Sequence, residues 1–304
     1  MNLKRTLDAW LRPGRGTVIG IPYFWLLLFF LAPFFIVLKI SFSEVDIAVP
    51  PFTALMSSEG SRISFAFNLE NYAFLFSDEL YIDTYLSSLK VAAVTTIVCL
   101  LIGYPIAYAI ARANPAARNT LLLLVMLPFW TSFLIRVYAW MGILKDNGLI
   151  NNLLLGLGVI SEPLRMMHTD FSLYVVMVYA YLPFMILPLY AHLVKMDLRL
   201  LEAAGDLGAR PWKAFLAITL PLSKGGIIAG SMMVFIPAVG EFVIPELVGG
   251  TETLMIGKVL WNEFFDNNNW PMASSVAIVM VCLLILPIVF FHRYETRQLE
   301  GDRG

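Results

Sequence analysis

The stretch EAAGDLGARPWKAFLAITLP, residues 202–221, is a polar island rich in alanine and glycine that lies between two long apolar runs. Helix-forming residues dominate 196–209, and Pro211 favours a helix end just before it. Asp206 and Arg210, four positions apart, can pair along one helix face. The other face has almost no side-chain bulk, since it is built from Ala203, Ala204, Gly205 and Gly208. Helices that lie on lipid carry bulky apolar residues instead, so we predict a short helix that docks closely against another protein.

The rest of the chain is strongly apolar. It has 304 residues, of which 59% are hydrophobic and 14% charged, with a mean hydropathy of +0.76. Soluble domains carry about 25% charged residues. A run of about 20 apolar residues is long enough to cross a bilayer, and six such runs occur, at 18–41, 86–110, 120–144, 171–194, 225–245 and 272–291. We therefore predict an all-α polytopic membrane protein with six transmembrane helices.

The distribution of lysine and arginine predicts how these helices are oriented. Fourteen basic residues fall at the two termini and in the two loops on the same side, and four fall in the loops on the other side. Because cytoplasmic loops are enriched in Lys and Arg, we expect both termini and the island in the cytoplasm. The predicted layout is a cytoplasmic N-terminal segment 1–17, a transmembrane domain 18–292 and a cytoplasmic tail 293–304. Within it lie a periplasmic segment at about 42–85 and the short cytoplasmic helix at about 198–210.

The sequence contains no residue constellation typical of catalysis or metal binding. Both cysteines lie in apolar runs, and the three histidines are far apart in the sequence. A P-loop requires the pattern G-x-x-x-x-G-K-[ST], whereas Gly257-Lys258 is followed by valine. We predict that the chain is not an enzyme and binds no cofactor or metal of its own. A transport reaction would then be driven by a separate ATPase chain or by an ion gradient.

The island contains a specific pattern of residues. Glu202-Ala203-Ala204, three residues, Gly208, nine residues and then Ile218-Thr219-Leu220-Pro221 resemble the EAA signature of the inner-membrane subunits of binding-protein-dependent ABC importers. In that family the short helix is the coupling helix, which fits a groove on the cytoplasmic ATPase. The resemblance implies the type I ABC importer permease fold, and it implies ATPase-coupling roles for Glu202, Ala203, Ala204, Asp206, Gly208 and Arg210.

Four further stretches resemble the polyamine branch of this family, most nearly the first of the two permeases in putrescine uptake systems. They are residues 127–154, 178–190, 235–250 and 262–277. The resemblance implies a permease subunit of the bacterial inner membrane that moves putrescine inward by alternating access, with spermidine as an open second substrate. The implied partners are a second homologous permease, an ATPase dimer that uses ATP and Mg, a periplasmic polyamine-binding protein and membrane lipid, and they include no nucleic acid.

A polyamine path needs carboxylates for the ammonium groups and aromatic faces for cation–π contacts. Residues 235–246 contain two prolines, a glycine and two acids within an apolar run, and an acid at membrane depth is a functional candidate. We therefore predict Glu246 and Glu241 as path residues. Arg136 is an alternative partner for Glu241, in an ion pair that would make Glu241 structural. The aromatic candidates, which belts at the membrane surface would also explain, are Tyr138, Trp140, Tyr179 and Tyr181.

Two other features bear on assembly and mechanism. Gly226 and Gly230 form a G-x-x-x-G pattern that permits close helix contact, which predicts an interface with the second permease. A secondary transporter would show inverted repeats and an ion-coupling acid or histidine deep in a span, and the sequence shows neither. The alternative functions are an ABC importer permease for another small cationic solute and, less favoured, an ion-coupled secondary transporter.

Overall fold

The structure is a computed structural model that describes residues 15–59, 62–65, 67–250 and 253–301. Most of the predicted N-terminal segment 1–17 and the last residues of the tail lie outside the described residues. The helices, in chain order, are α1 (Gly16–Ser41), α2 (Glu70–Ser77), α3 (Glu79–Arg112), α4 (Pro115–Trp130), α5 (Phe133–Leu144), α6 (Leu149–Gly156), α7 (Asp170–Leu193), α8 (Arg199–Asp206), α9 (Pro211–Leu222), α10 (Lys224–Val239), α11 (Val243–Val248), α12 (Ile256–Trp261) and α13 (Trp270–Gly301). Between α1 and α2, an antiparallel hairpin pairs β1 (Met56–Glu59) with β2 (Arg62–Phe65).

Four of these helices are long and apolar enough to cross a membrane: α1, α3, α7 and the first part of α13, Trp270–Val289. Two bent pairs meet the same criterion together. One is α4 with the segment Phe133–Gly156, bent by 91°, and the other is α9 with α10, bent by 65°. If each bent pair is one span, the described part of the chain has six spans, the number predicted from the apolar runs. The bend of the third span lies within the predicted run 120–144, whereas that of the fifth span lies just before the predicted run 225–245.

The bends lie where the backbone leaves helical geometry. Between α4 and α5, Thr131 is extended, with φ −104° and ψ 153°, three residues after Pro128. Between α9 and α10, Ser223 has φ −90° and ψ 2° and follows Pro221 by two residues. Proline removes a backbone donor and disfavours an uninterrupted helix. The sequence of the fifth run predicts helix breaks at Pro237 and Gly240. Gly240 does terminate α10, and α11 is a separate helix, whereas Pro237 lies inside α10.

The chain divides into two compact units. The first lies within residues 1–77 and 263–279 and contains α1, the hairpin, α2 and the first part of α13. At the end of α1, Tyr72 donates its hydroxyl to Ser41 Oγ at 2.7 Å, and Ser275 Oγ donates to the Ser41 carbonyl at 3.0 Å. The second unit lies within residues 78–262 and 280–304, and its core is formed by α3, α7 and α10.

Glycines allow the three core helices of the second unit to approach one another closely. A Cβ atom added at Gly103 of α3 would lie 3.1 Å from Met185 Cγ, and one at Gly230 of α10 would lie 2.8 Å from Met185 Sδ. A Cβ at Gly226 would lie 3.0 Å from His192 Cβ. Gly226 and Gly230 therefore pack against α7 of the same chain, and the predicted interface with a second permease at this pair is wrong. The G-x-x-x-G pattern permits close contact with any helix, and here α7 makes that contact.

Candidate functional site

The short helix predicted from the island is α8, and it ends in a backbone-defined cap. Asp197 Oδ1 accepts from the Arg199 N–H at 3.0 Å where the helix begins. At its end, Gly208 N–H donates to the Gly205 carbonyl at 2.8 Å, and Ala209 N–H donates to the Ala204 carbonyl at 2.9 Å. Gly208 has φ +78°, the left-handed conformation that glycine adopts without the steric penalty of a Cβ atom. This is the Schellman arrangement, which satisfies carbonyls at a helix end.

The surface of α8 is open and has little side-chain bulk. Glu202, Ala203, Asp206, Gly208 and Arg210 are exposed and Ala204 is half-buried. A Cβ atom at Gly205 or Gly208 would meet nothing within 4 Å, and Leu207 is 89% exposed. The Asp206–Arg210 pair predicted from helical spacing is not among the salt bridges of the described residues. The charged groups of this surface are therefore available to another chain.

A chain of contacts connects α8 to the core. Helix α9 follows α8 directly, and its Phe215 ring lies edge-on to two tyrosines of α3, with ring centroids 5.5 Å from Tyr104 and 6.1 Å from Tyr108. The Tyr104 hydroxyl also shares a buried hydrogen bond of 2.8 Å with Ser223 Oγ, at the bend between α9 and α10. These contacts connect α9 to α3 and to the bend before α10.

The polar turn after α10 is organised by Glu241. Its Oε1 accepts from the backbone N–H groups of Val243, at 3.0 Å, and Ile244, at 3.4 Å, where α11 begins. Its Oε2 accepts from the hydroxyl of Tyr181, a buried residue of α7, at 2.6 Å. Both carboxylate oxygens are engaged within the chain. The carboxylate therefore stabilises the first turn of α11, as acidic groups do at helix N-termini.

Helix α12 is anchored next to this turn through its backbone. The Ile256 N–H donates to the buried Ser88 Oγ of α3 at 2.7 Å. Gly257 lies directly against the carbonyls of Gly240 and Glu241, and a Cβ atom added there would lie 2.8 Å from the Glu241 oxygen. This close approach requires glycine, because any side chain would collide with backbone atoms.

The second acid of the region, Glu246, is paired with a lysine. Glu246 Oε2 lies 2.6 Å from Lys258 Nζ, and the two side chains are 54% and 33% exposed. On the same two helical segments, the rings of Phe242 and Trp261 are stacked, with centroids 4.6 Å apart and an interplanar angle of 14°. An accessible carboxylate and an aromatic stack are therefore both contributed by the segments around α11 and α12.

Arg136 does not form the ion pair with Glu241 that the sequence offered as an alternative; it lies against aromatic rings. Its guanidinium carbon lies 5.0 Å from the centroid of the Phe129 ring and 5.7 Å from that of Phe133, on either side of the bend between α4 and α5. Its Nε atom is buried and has no hydrogen-bond partner. The described residues contain no ion pair between Arg136 and Glu241, so in this structure the guanidinium is stabilised by the aromatic rings.

The four predicted aromatic residues occupy three environments. Trp140 and Tyr179 are in contact, with ring centroids 5.4 Å apart in an edge arrangement. Tyr181 is buried and donates to Glu241, whereas the side chain of Tyr138 is 55% exposed. The structure therefore joins two of them to each other and one to an acid. Among the residues that the structure describes, no group of three or more His, Cys, Asp or Glu side chains could hold a metal ion.

Comparison with known proteins agrees with this architecture. Residues 100–297 match the family described as the binding-protein-dependent transport system inner membrane component. The chain belongs to this family. It is therefore a non-catalytic, multi-pass transporter subunit located in a bacterial inner membrane, as the sequence predicted. The matched residues include α8 with its EAA pattern.

Individual relatives of this inner membrane component cover nearly its whole length. It is 40% identical over 276 residues to the spermidine/putrescine transport system permease protein PotB of Haemophilus influenzae, which covers 90% of this chain and 92% of that protein. It is 37% identical over 277 residues to PotB of Escherichia coli K12, which covers 91% of this chain and 94% of that protein.

Solved structures resemble the inner membrane component in fold. A bacterial alginate ABC transporter in complex with an alginate pentasaccharide-bound periplasmic protein matches 98% of both chains, with a TM-score of 0.69 and 16% identity. The MetNI methionine ABC transporter, in inward-facing conformations, matches 70% of this chain and 93% of that one, with a TM-score of 0.54 and 17% identity. The type I importer permease fold predicted from the EAA pattern is confirmed.

The sequence analysis predicted Glu246 as a path residue but missed its ion-pair partner and the nearby aromatic stack. Lys258, Phe242 and Trp261 were not among the predicted path residues, although all lie within 20 positions of Glu241 or Glu246. Lys258 belongs to a different helix from Glu246, and the pair has no periodic spacing. Glu241, Glu246, Phe242 and Trp261 were therefore visible in the sequence, but their contacts were not.

Proposed function

We propose that this chain is one of two permease subunits of an ATP-driven importer that moves polyamines, putrescine and spermidine, from the periplasm to the cytoplasm. The observation that carries the proposal is the similarity, over about nine-tenths of both chains, to proteins named spermidine/putrescine transport system permeases. In the proposed layout the transmembrane domain 18–292 is flanked by a cytoplasmic N-terminal segment 1–17 and a cytoplasmic tail 293–304.

The proposed contact with the ATPase is the open surface of α8. Its small residues allow close approach of another backbone, and Glu202, Asp206 and Arg210 supply polar contacts. The ATPase is a separate dimer that uses ATP and Mg, and its closure displaces α8 and α9 together. The contacts of Phe215 and Ser223 with Tyr104 carry that displacement into α3 and α10. The two paired permeases then alternate between outward-facing and inward-facing states.

The proposed substrate contact is the segment around α11 and α12. The Glu246 carboxylate receives an ammonium group, and the Phe242–Trp261 stack contacts the methylene stem and the charge. Glu241 has a structural role, since both of its oxygens are occupied by Tyr181 and the first turn of α11. The remaining partners in this proposal are a periplasmic polyamine-binding protein, a second homologous permease and the surrounding lipid.

The test is uptake of labelled putrescine by cells that lack their own polyamine importers and express this chain with its genomic neighbours, with spermidine as competitor. The informative variant is Gly205→Leu. Leucine favours the helix over glycine, and a Cβ atom at this position has no atom of this chain within 4 Å, so the variant is expected to obstruct a docking partner. The matched control is Gly156→Leu, because Gly156 is also a helical glycine with open space at its Cβ position.

We expect saturable uptake in the wild type and in Gly156→Leu, and its loss in Gly205→Leu. Uptake that persists unchanged in Gly205→Leu would contradict the assignment of α8 to ATPase coupling. A fully assembled complex that takes up no polyamine would overturn the substrate assignment and favour another small cationic solute.

A further inference from the structure

The strongest unassigned feature outside α8 is the Lys258–Glu246 pair. The two charged atoms are 2.6 Å apart, yet both side chains are partly exposed. The pair joins α11 to α12. A pair with this exposure can exchange partners, since exposed ion pairs contribute only about 0.2–1 kcal/mol.

The lysine is tethered at a fixed place while its side chain is free to move. The backbone on its N-terminal side is held by Ile256, which donates to Ser88 Oγ at 2.7 Å, and by Gly257, which packs against the carbonyls of Gly240 and Glu241. The side chain beyond this anchor is a flexible chain of four methylenes. A group tethered this closely has a local concentration in the millimolar range, so it competes with any free cation for the same carboxylate.

The chemistry of the lysine side chain matches that of the proposed cargo. Four methylenes ending in a primary ammonium are the stem and one end of putrescine. The Glu241 carboxylate accepts hydrogen bonds from the Tyr181 hydroxyl and from two backbone N–H groups, which are fixed by the fold. The Glu246 carboxylate is paired with a flexible lysine side chain, which can be displaced. Trp261, whose ring stacks on Phe242, lies three positions after Lys258 in α12, and residues at this spacing are neighbours on a helix surface.

We propose that the ammonium group of Lys258 takes the place of a substrate ammonium group. It pairs with the Glu246 carboxylate when the path is empty, and a polyamine amine displaces it during passage. This inference rests on the proposed function. In an empty path the Glu246 carboxylate is thereby kept paired with a cation. When the polyamine arrives, its ammonium takes the place of Lys258, and the returning lysine then assists release. Lys258 is in this sense a residue that sets affinity for the cargo.

The test is equilibrium binding of labelled putrescine to the permease–ATPase complex purified in nanodiscs, without the binding protein, so that affinity reports on the permeases. Lys258→Met keeps the length of the stem and removes the charge, and Lys258→Arg keeps a cation. We expect Lys258→Met to lower the Kd about two- to fivefold, the equivalent of an exposed ion pair, and Lys258→Arg to stay near the wild-type value. In Lys258→Met, n-butylammonium should also displace putrescine more effectively than in the wild type.

A cycle with Glu246→Gln separates competition from a structural role. If Lys258 acts through this carboxylate, Lys258→Met changes the Kd much less in the Glu246→Gln background. An unchanged or raised Kd in Lys258→Met overturns the inference and leaves the importer proposal intact when wild-type cells take up putrescine. Wild-type cells that take up none overturn both. Should Lys258→Met not assemble, Lys258→Gln is measured by the same criterion.

Discussion

At the scale of single residues, Gly208 shows why the EAA pattern contains a glycine at this position. Its φ of +78° places it in the left-handed region, and the N–H groups of Gly208 and Ala209 close the end of α8. Nothing lies within 4 Å of its Cβ position. Within this chain, therefore, the requirement for glycine comes from the backbone conformation, whereas close packing was the expectation from the sequence.

Substitution of Gly208 should separate backbone conformation from docking. Asparagine tolerates the left-handed conformation, whereas valine is similar in size and does not. We expect Gly208→Val to weaken the cap by about 1–2 kcal/mol and to reduce uptake per assembled complex, while Gly208→Asn retains most of it. Equal loss in both variants would show that side-chain bulk at the docking surface, and not the backbone, is decisive.

Glu241 should behave as a structural acid. Its carboxylate accepts two backbone N–H groups and the Tyr181 hydroxyl, and hydrogen bonds to charged groups contribute about 1.5–3 kcal/mol. Glu241→Gln and Tyr181→Phe should therefore each lower the apparent melting temperature of the purified complex. The double variant should lose less than the sum of the two. A lowered putrescine affinity with an unchanged melting temperature would instead make Glu241 a substrate ligand.

At the residue scale, the predictions that rest on a fixed spacing within one local stretch of sequence were successful. The EAA spacing located α8 and its glycine, because both follow from one local stretch. The predicted Asp206–Arg210 pair failed to form because α8 ends at Asp206, so Arg210 lies beyond the helix that would have aligned the two. The Glu246–Lys258 pair joins two helices across a loop, and no sequence period marks such a contact.

At the scale of elements, the number of spans was predictable and their shape was not. A span needs about 20 apolar residues because backbone groups in lipid must be satisfied within the helix, and this length is visible in the sequence. The bends of 91° and 65° depend on one or two residues with non-helical dihedral angles. The hairpin of β1 and β2 in the predicted periplasmic segment was likewise not foreseen.

Gly230 offers a test of the core formed by α3, α7 and α10. A Cβ atom there would lie 2.8 Å from Met185 Sδ and 3.0 Å from the Met185 carbonyl, and overpacking of this kind costs about 1–3 kcal/mol. We expect Gly230→Leu to lower the melting temperature of the complex. Gly142→Leu, at a glycine of α5 with open space around it, should have little effect. If Gly230→Leu instead disrupted only the pairing of the two permeases, the glycine would belong to their interface.

At the scale of the whole molecule, the two candidate regions lie at opposite ends of one connected path in the second unit. Helices α8 and α9 lead to Tyr104 and the Ser223 bend, and α10 leads from that bend to the Glu241 turn and α11. The elements between them are packed helices. In the proposed mechanism, coupling between ATPase and cargo therefore does not require a direct contact between the two regions.

Removal of one hydroxyl should reveal this coupling. Tyr104→Phe keeps the ring contact with Phe215 and loses the hydrogen bond to Ser223. We expect ATP hydrolysis to continue while the number of putrescine molecules imported per ATP falls. Tyr108→Phe is the control, because it also keeps its ring contact with Phe215. Equal transport ratios in both variants would argue against the Ser223 bend as the transmitting joint.

The capped end of α8 has a thermodynamic consequence for assembly. A segment held by its own backbone bonds already has a fixed backbone before a partner arrives. Association therefore does not have to order that backbone, which would cost about 1–2 kcal/mol for each residue. The polar residues on its exposed face make no intramolecular salt bridge. In the proposed complex, substitutions at Glu202, Asp206 and Arg210 would therefore change which ATPase is bound without refolding the helix, so that partner choice could evolve separately from the membrane architecture.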